Sequence, residues 1–174
     1  LAATAITLSL LLYNLRLKKL PLIGNLTVAV MGGAPFVFGG LAVLNPTGTL
    51  LPGILATIFH LSREILKDIQ DQSGDLTTRG KTLAILIGGF WSKMVVSLLL
   101  STLIIAIPFP AFWGVTGPIY MIIGLGLSAL LLLTICCVWQ SESEAELEIP
   151  SRLLKAGMVV GIAAFFFDSL GAGP

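Results

Sequence analysis

The chain has 174 residues, of which 56% are hydrophobic and only 11% are charged; its formal net charge is +1 and its mean hydropathy is +0.99. Soluble globular proteins carry roughly a quarter charged residues because their surface faces water, so this composition excludes an ordinary soluble domain and favours a membrane protein. A net charge near zero, without a long basic run, gives no reason to expect a nucleic-acid partner.

Apolar runs close to the length of a membrane-spanning helix, about 20 residues, follow one another along the chain. Proline, glycine, asparagine and charged residues separate these runs. We predict six helices, at residues 1–15, 24–44, 49–71, 82–107, 111–139 and 151–170. The predicted fold is all-α, a polytopic transmembrane helical bundle that forms a single domain over residues 1–174.

The cationic residues occupy alternate connections between the predicted helices. The other connections, at residues 45–48, 108–110 and 171–174, contain no Lys or Arg. Lys and Arg accumulate in the cytoplasmic loops of membrane proteins, so we expect the charged connections to face the cytoplasm. The cations on that side are Arg16, Lys18, Lys19, Lys67, Arg79, Lys81, Arg152 and Lys155.

Glycines recur within the apolar runs, and in lipid such small residues let helix backbones approach closely. We predict this packing role for Gly32, Gly33, Gly39, Gly40, Gly88, Gly89, Gly157 and Gly161. Four glutamates between residues 142 and 148 alternate with other residues and predict a solvated acidic loop. Asp168 is expected at the membrane interface, and His60, which has no second nitrogen or sulfur ligand nearby, as an interior packing residue.

The most chemically informative stretch is residues 63–82, which contains REILKDIQDQSGD followed by RGKT. On a helix Asp68, Asp71 and Asp75 stand at i, i+3 and i+7 and share one face, which Glu64 extends by one turn. Like charges at this spacing repel, and ionised groups are costly at membrane depth, so a cation is expected there. Oxygen ligands without His or Cys favour Mg²⁺.

Basic residues bracket these acids. Lys67, Lys81, Arg79 and Arg63 stand before, among and after them. A mixture of acids and bases suits a diphosphate bridged by Mg²⁺, because carboxylates hold the metal and cations hold phosphate oxygens. The alternative is a solvated charged loop between two membrane spans.

These residues resemble a known family. REILKDIQDQSGD with RGKT is similar to the second aspartate-rich motif of the UbiA superfamily of intramembrane prenyltransferases, and LPLIGNLTVAVMGGAPFVFGG, residues 20–40, resembles its ether-lipid branch. The resemblance implies that the six helices correspond to the last six of a nine-helix fold. No Asp or Glu precedes Glu64, so the first aspartate-rich motif and the N-terminal spans are expected to be missing.

The resemblance implies an enzyme that depends on Mg²⁺ and transfers a prenyl group, geranylgeranyl, from prenyl diphosphate to a lipophilic acceptor. Asp68, Asp71 and Asp75 would bind the metal and act in catalysis. The residues that would bind the diphosphate are Lys67, Lys81, Arg79 and Arg63. The expected acceptor is geranylgeranylglyceryl phosphate, in ether phospholipid synthesis. The alternatives are an aromatic, quinone-type or chlorophyll-type acceptor and, from another class, a transporter or channel with an acidic ion site.

Asn25 stands where the second predicted helix begins, on the same side of the membrane as the charged cluster. It is a candidate substrate-binding residue that would orient a polar head group. The alternative is a helix cap or turn residue, because asparagine favours both positions.

Overall fold

The computed structural model describes residues 4, 7, 21–72, 74 and 82–171, and the residues in these ranges form helices and turns without a strand. Five stretches of this part are long and apolar enough to cross a membrane: Ile23–Ala42, Pro46–Gln70, Gly89–Phe112, Pro118–Gln140 and Ala145–Gly171. The chain is therefore an all-helical integral membrane protein, as predicted. Most of the predicted helix at residues 1–15 lies outside the described residues.

Seven helices make up the described part of the chain. They are α1 (Ile23–Ala42), α2 (Pro46–Gln70), α3 (Leu83–Ile87), α4 (Gly89–Ala106), α5 (Phe109–Phe112), α6 (Pro118–Gln140) and α7 (Glu148–Gly171). The chain divides into two compact units, Leu1–Val96 and Ser97–Pro174, with the boundary inside α4. The single domain over residues 1–174 stays a prediction.

In the first unit, α1 and α2 form an antiparallel hairpin. A Cβ atom added at Gly33 would overlap the Thr57 hydroxyl, and one added at Gly40 would overlap the Thr49 hydroxyl. From Gly33 to Gly40 the contacted residue moves back from Thr57 to Thr49, so the two helices run antiparallel. The absence of a glycine side chain lets the two backbones approach closely. The packing prediction is thus confirmed for Gly33 and Gly40, whereas Gly39 faces open space.

The connection between the two helices of the hairpin is short because Asn45 caps α2. Its Oδ1 atom accepts a hydrogen bond from the Gly48 amide at 3.1 Å. Pro46 follows as the first helical residue, where its missing N–H costs nothing and its fixed φ suits the helix.

The predicted helix at residues 82–107 is wrong in one respect, because the structure breaks it into α3 and α4. Gly88 separates the two with a φ of +83°, a left-handed conformation that glycine adopts without a steric penalty. A Cβ atom at Gly88 would meet nothing within 4 Å. This glycine therefore interrupts a helix and does not serve the close packing predicted for it.

The predicted helix at residues 111–139 is also divided, into α5 and α6. Gly114, with a φ of +67°, lies in the intervening turn, and α6 starts with Pro118. The side chain of Asp168, on α7, binds the start of α6. Its carboxylate accepts hydrogen bonds from the amides of Gly117 at 2.8 Å and Tyr120 at 3.1 Å. These are amides without an intrahelical partner, so Asp168 caps α6 from a neighbouring helix.

The acidic segment before the last helix is more ordered than predicted. Residues Ala145–Leu147 form a 3-10 turn, and α7 begins at Glu148, three residues earlier than the predicted start. Glu148 accepts from Arg152 one turn later, with 2.6 Å between Nη2 and Oε1, and both side chains are largely exposed. The segment combines a helix start with solvent-facing charge.

Candidate active site

The charged end of α2 carries two parallel stripes of side chains. Glu64 and Asp68 are one turn apart within α2, and Asp71 follows three residues later at the C-cap, so helical spacing places these three acids, the acidic stripe, along one face. Arg63 and Lys67 are four residues apart and lie on the adjoining face. The helix ends at Gln70, so this end of α2 presents acids and bases side by side.

Asp68 is the most constrained of these side chains. Its Oδ2 atom accepts a hydrogen bond from Nδ2 of Asn25 at 2.7 Å and another from the backbone amide of Leu83 at 3.3 Å. Both contacts are partly buried. The start of α1, the end of α2 and the start of α3 therefore meet at one carboxylate oxygen.

The start of α3 explains the second contact. Leu83 is the first helical residue, and its amide is one of those that a helix leaves without an internal acceptor. Thr82 precedes it in an extended conformation and does not cap the helix with its side chain. The Asp68 carboxylate instead accepts the hydrogen bond from the Leu83 amide at the start of α3. The Thr82 hydroxyl is buried and makes no hydrogen bond with any described residue.

Arg63 and Glu64 pair with each other although they are neighbours in sequence. The Nη1 to Oε1 distance is 2.6 Å, and the side chains are 27% and 16% exposed. Removal of both ions from bulk water strengthens their attraction. Glu64 thus neutralises part of the Arg63 charge at the base of the acidic stripe.

Lys67 and Asp71 are both exposed. Lys67 lies in the last turn of α2, where a cation interacts favourably with the helix dipole. The Asp71 amide donates to the Lys67 carbonyl at 2.9 Å and closes the helix. Their side chains form no ion pair with each other, so both can face a ligand at the end of α2.

The remaining predicted site residues, Asp75, Arg79 and Lys81, lie outside the described residues. No group of three His, Cys, Asp or Glu side chains that could hold a metal ion occurs within residues 21–72 and 82–171. Of the predicted triad, the described part contains Asp68 near the end of α2 and Asp71 at its C-cap, and the metal site stays a prediction. Asn25 is the third residue of α1, Leu22 is its N-cap residue and no side chain caps the helix, so the cap interpretation of Asn25 is wrong.

The described residues fit a magnesium ion shared with a diphosphate. Asp68 and Asp71 supply hard carboxylate oxygens on successive turns, which Mg²⁺ prefers to nitrogen or sulfur ligands. The buried hydroxyl of Thr82, next to an amide that already contacts Asp68, has no hydrogen-bond partner among the described residues. A bound phosphate oxygen would satisfy it.

An apolar cleft of about 440 Å³ runs along the same helical hairpin. Its walls include Val30, Ala34 and Phe38 of α1 and Leu50, Ile54 and Thr57 of α2. The nearest wall residue on α1 is five positions beyond Asn25, about 8 Å at the rise of an α-helix. His60, whose ring packs against Gly32, lies between the cleft and the charged end, as an interior residue.

Two features of the site escaped sequence analysis. Nothing in the sequence indicates that the Leu83 amide contacts Asp68, which is 15 positions away. Nothing in the sequence indicates that the Thr82 hydroxyl is buried beside this amide. The predicted helix start at residue 82 was close, because threonine commonly precedes helices. Pairing of that start with a carboxylate on another helix depends on tertiary packing.

The chain is similar to digeranylgeranylglyceryl phosphate synthases from several archaea. It is 35% identical to that of Methanopyrus kandleri, over 92% of this chain and 59% of the relative. For Thermococcus kodakarensis the identity is 31%, over 98% of this chain and 61% of the relative. The relative from Methanothrix thermoacetophila is 44% identical, over 52% of this chain and 34% of the relative. The chain spans about 60% of the length of the first two relatives.

A solved structure and a family model agree with these relatives. The structure comes from work on the biosynthesis of digeranylgeranylglyceryl phosphate synthase in membranes; it superposes with a TM-score of 0.89 at 25% identity, over 98% of this chain and 61% of that chain. The model of the UbiA prenyltransferase family matches residues 1–154, most of the sequence. The chain therefore belongs to the UbiA prenyltransferase family.

Proposed function

We propose that this chain carries the magnesium and diphosphate site of an enzyme that transfers a geranylgeranyl group to geranylgeranylglyceryl phosphate. The observation that carries the proposal is the fixed carboxylate of Asp68, with Asp71 one turn away and cations on the adjoining face. UbiA prenyltransferases are generally dependent on Mg²⁺. The names of the similar archaeal proteins support the acceptor and a role in ether-lipid synthesis.

Each charged side chain has a distinct role in this proposal. Asp68, Asp71 and Asp75 would hold the divalent cation, which would supply positive charge to neutralise the diphosphate. Lys67, Arg79, Lys81 and Arg63 bind phosphate oxygens, of which Lys67 is exposed at the end of α2. Arg63 contributes less, because it already pairs with Glu64.

The proposed reaction follows from the charge that these residues can hold. The allylic carbon–oxygen bond of the prenyl diphosphate breaks, and its electron pair leaves with the diphosphate. Fixed cations stabilise that negative charge as it develops, which is the main route by which such a site lowers the barrier. The acceptor hydroxyl oxygen then bonds to the allylic cation and passes its proton to the released diphosphate.

The apolar cleft on α1 and α2 gives the isoprenoid tail a place within the membrane. Its walls are almost entirely apolar and lie on the hairpin that carries Asn25 and Asp68. A tail in this cleft would place the diphosphate toward the charged end. That end is proposed to face the cytoplasm, in keeping with the distribution of Lys and Arg.

Product formation tests the proposal. The full-length gene product that contains residues 1–174 (the full chain) is incubated in lipid nanodiscs with labelled geranylgeranyl diphosphate, Mg²⁺ and either geranylgeranylglyceryl phosphate or 4-hydroxybenzoate. We expect a prenylated glyceryl phosphate that requires Mg²⁺. Absence of any prenylated product from folded protein contradicts the proposal, and a prenylated benzoate alone contradicts the acceptor.

A pair of acidic variants localises the site. Asp71→Asn removes a proposed metal ligand at an exposed position, so we expect product formation to fall at least 100-fold. Glu142→Gln changes an exposed acid in the connection before α7, so it should leave the rate unchanged. Equal rates for the two variants would contradict the assignment of Asp71.

A further inference from the structure

The side chain of Asn25 contacts Asp68, a residue of the acidic stripe. Its amide donates to Asp68 at 2.7 Å, across 43 positions of sequence, and the contact is partly buried. This is a short distance for an N–H···O bond, and bonds to ionised acceptors are stronger than neutral ones. The contact gives Asn25 a defined target that its place in the sequence did not predict.

The Leu83 amide supports the same oxygen from a different element. Its 3.3 Å contact is longer and weaker, but it approaches from the start of α3, whereas Asn25 approaches from α1. Two donors from separate helices restrict rotation of a carboxylate. In metal sites, such outer hydrogen bonds orient the ligating carboxylates and tune their affinity for the ion.

We propose that Asn25 is a positioning residue, which holds the Asp68 carboxylate in the orientation that binds the divalent cation. The Leu83 amide assists it. The inference rests on the proposed function, because it takes Asp68 as a metal ligand. It gives Asn25 a task different from the head-group contact expected from the sequence.

A purely structural tie between α1 and α2 is the competing explanation. Both explanations predict that loss of the amide lowers thermal stability. Only a positioning role predicts weaker metal binding at equal folding. Metal affinity is therefore the discriminating measurement, with thermal unfolding recorded alongside it.

The test titrates Mn²⁺ into the full chain in nanodiscs and follows free Mn²⁺ by electron paramagnetic resonance. Asn25→Leu removes the donor while it keeps a side chain branched at the same position, and we expect about 10-fold weaker Mn²⁺ binding, the lower end of outer-contact effects. Asn25→Gln keeps an amide and should recover part of the affinity. Thr27→Val is the matched control, because the Thr27 hydroxyl, as far as the described residues go, donates to the Ile23 carbonyl of its own helix.

The outcomes separate this inference from the proposed function. Unchanged Mn²⁺ affinity in Asn25→Leu, or no Mn²⁺ binding by the unsubstituted chain, overturns the positioning role. Weakened Mn²⁺ binding without any prenylated product in the substrate assay supports positioning while the proposed function fails. If Asn25→Leu does not fold, Asn25→Ser, whose side chain is too short to reach Asp68, gives the same comparison.

Discussion

Asp68 and Asp71 are both proposed metal ligands, but their surroundings predict different effects on stability. Asp68→Ala leaves two partly buried N–H donors without their acceptor. A buried donor that loses its partner costs about 1–3 kcal/mol. Because both contacts are only partly buried and one is long, we expect about 1 kcal/mol for each, and so about 2 kcal/mol in total.

Asp71→Ala removes an exposed side chain whose backbone contact with Lys67 remains. A surface substitution of this kind changes stability by about 0.5 kcal/mol or less. Both variants should lose magnesium-dependent product formation. Only Asp68→Ala should also unfold at lower temperature, by about 4–8 °C for a chain of this size.

The assay combines product formation with thermal unfolding of each variant in the same detergent. A double variant, Asp68→Ala with Asn25→Leu, should be less destabilised than the sum of the two single variants, by about 1 kcal/mol, because they share one hydrogen bond. Equal thermal shifts for Asp68→Ala and Asp71→Ala would refute the reasoning. So would additive effects in the double variant.

Three further predictions concern other parts of the chain. Asp168→Ala should cost about 1–2 kcal/mol and speed hydrogen exchange of the amides at the start of α6; unchanged exchange would show that the cap is dispensable. Gly88→Ala should cost about 1–3 kcal/mol in thermal unfolding, because its φ of 83° and ψ of 158° lie in a region that essentially only glycine adopts, and an unchanged unfolding temperature would contradict this. Ala34→Phe should fill the apolar cleft and impair use of geranylgeranyl diphosphate more than geranyl diphosphate, whereas Gly39→Phe, in open space, should affect both equally.

The sequence predicted the helices well where hydropathy alone decides the structure. Helices α1 and α2 begin and end within a few residues of the predicted bounds, because long apolar runs and the Asn45-Pro46 signal mark them. The breaks at Gly88 and Gly114 were missed. In membrane helices glycine serves both close packing and left-handed turns, and hydropathy does not distinguish the two uses.

The candidate site was predictable in part for a similar reason. Helical spacing predicted one face for Asp68 and Asp71; the structure has Asp68 within α2 and Asp71 at its C-cap, and their joint metal site stays a prediction. Contacts between helices, such as Asn25 with Asp68 and Asp168 with the start of α6, were beyond sequence periodicity. Spacing along one helix defines a face, but it carries no information on which residue of another helix meets that face.

The central claim is that the acidic stripe of α2 binds a divalent cation shared with a prenyl diphosphate. Pulsed electron paramagnetic resonance of the full chain with Mn²⁺ and a non-hydrolysable geranylgeranyl thiodiphosphate measures this directly. We predict coupling of the bound Mn²⁺ to ³¹P, and its loss in Asp71→Asn but not in Glu142→Gln. Bound Mn²⁺ without ³¹P coupling, or coupling that persists in Asp71→Asn, would contradict the claim.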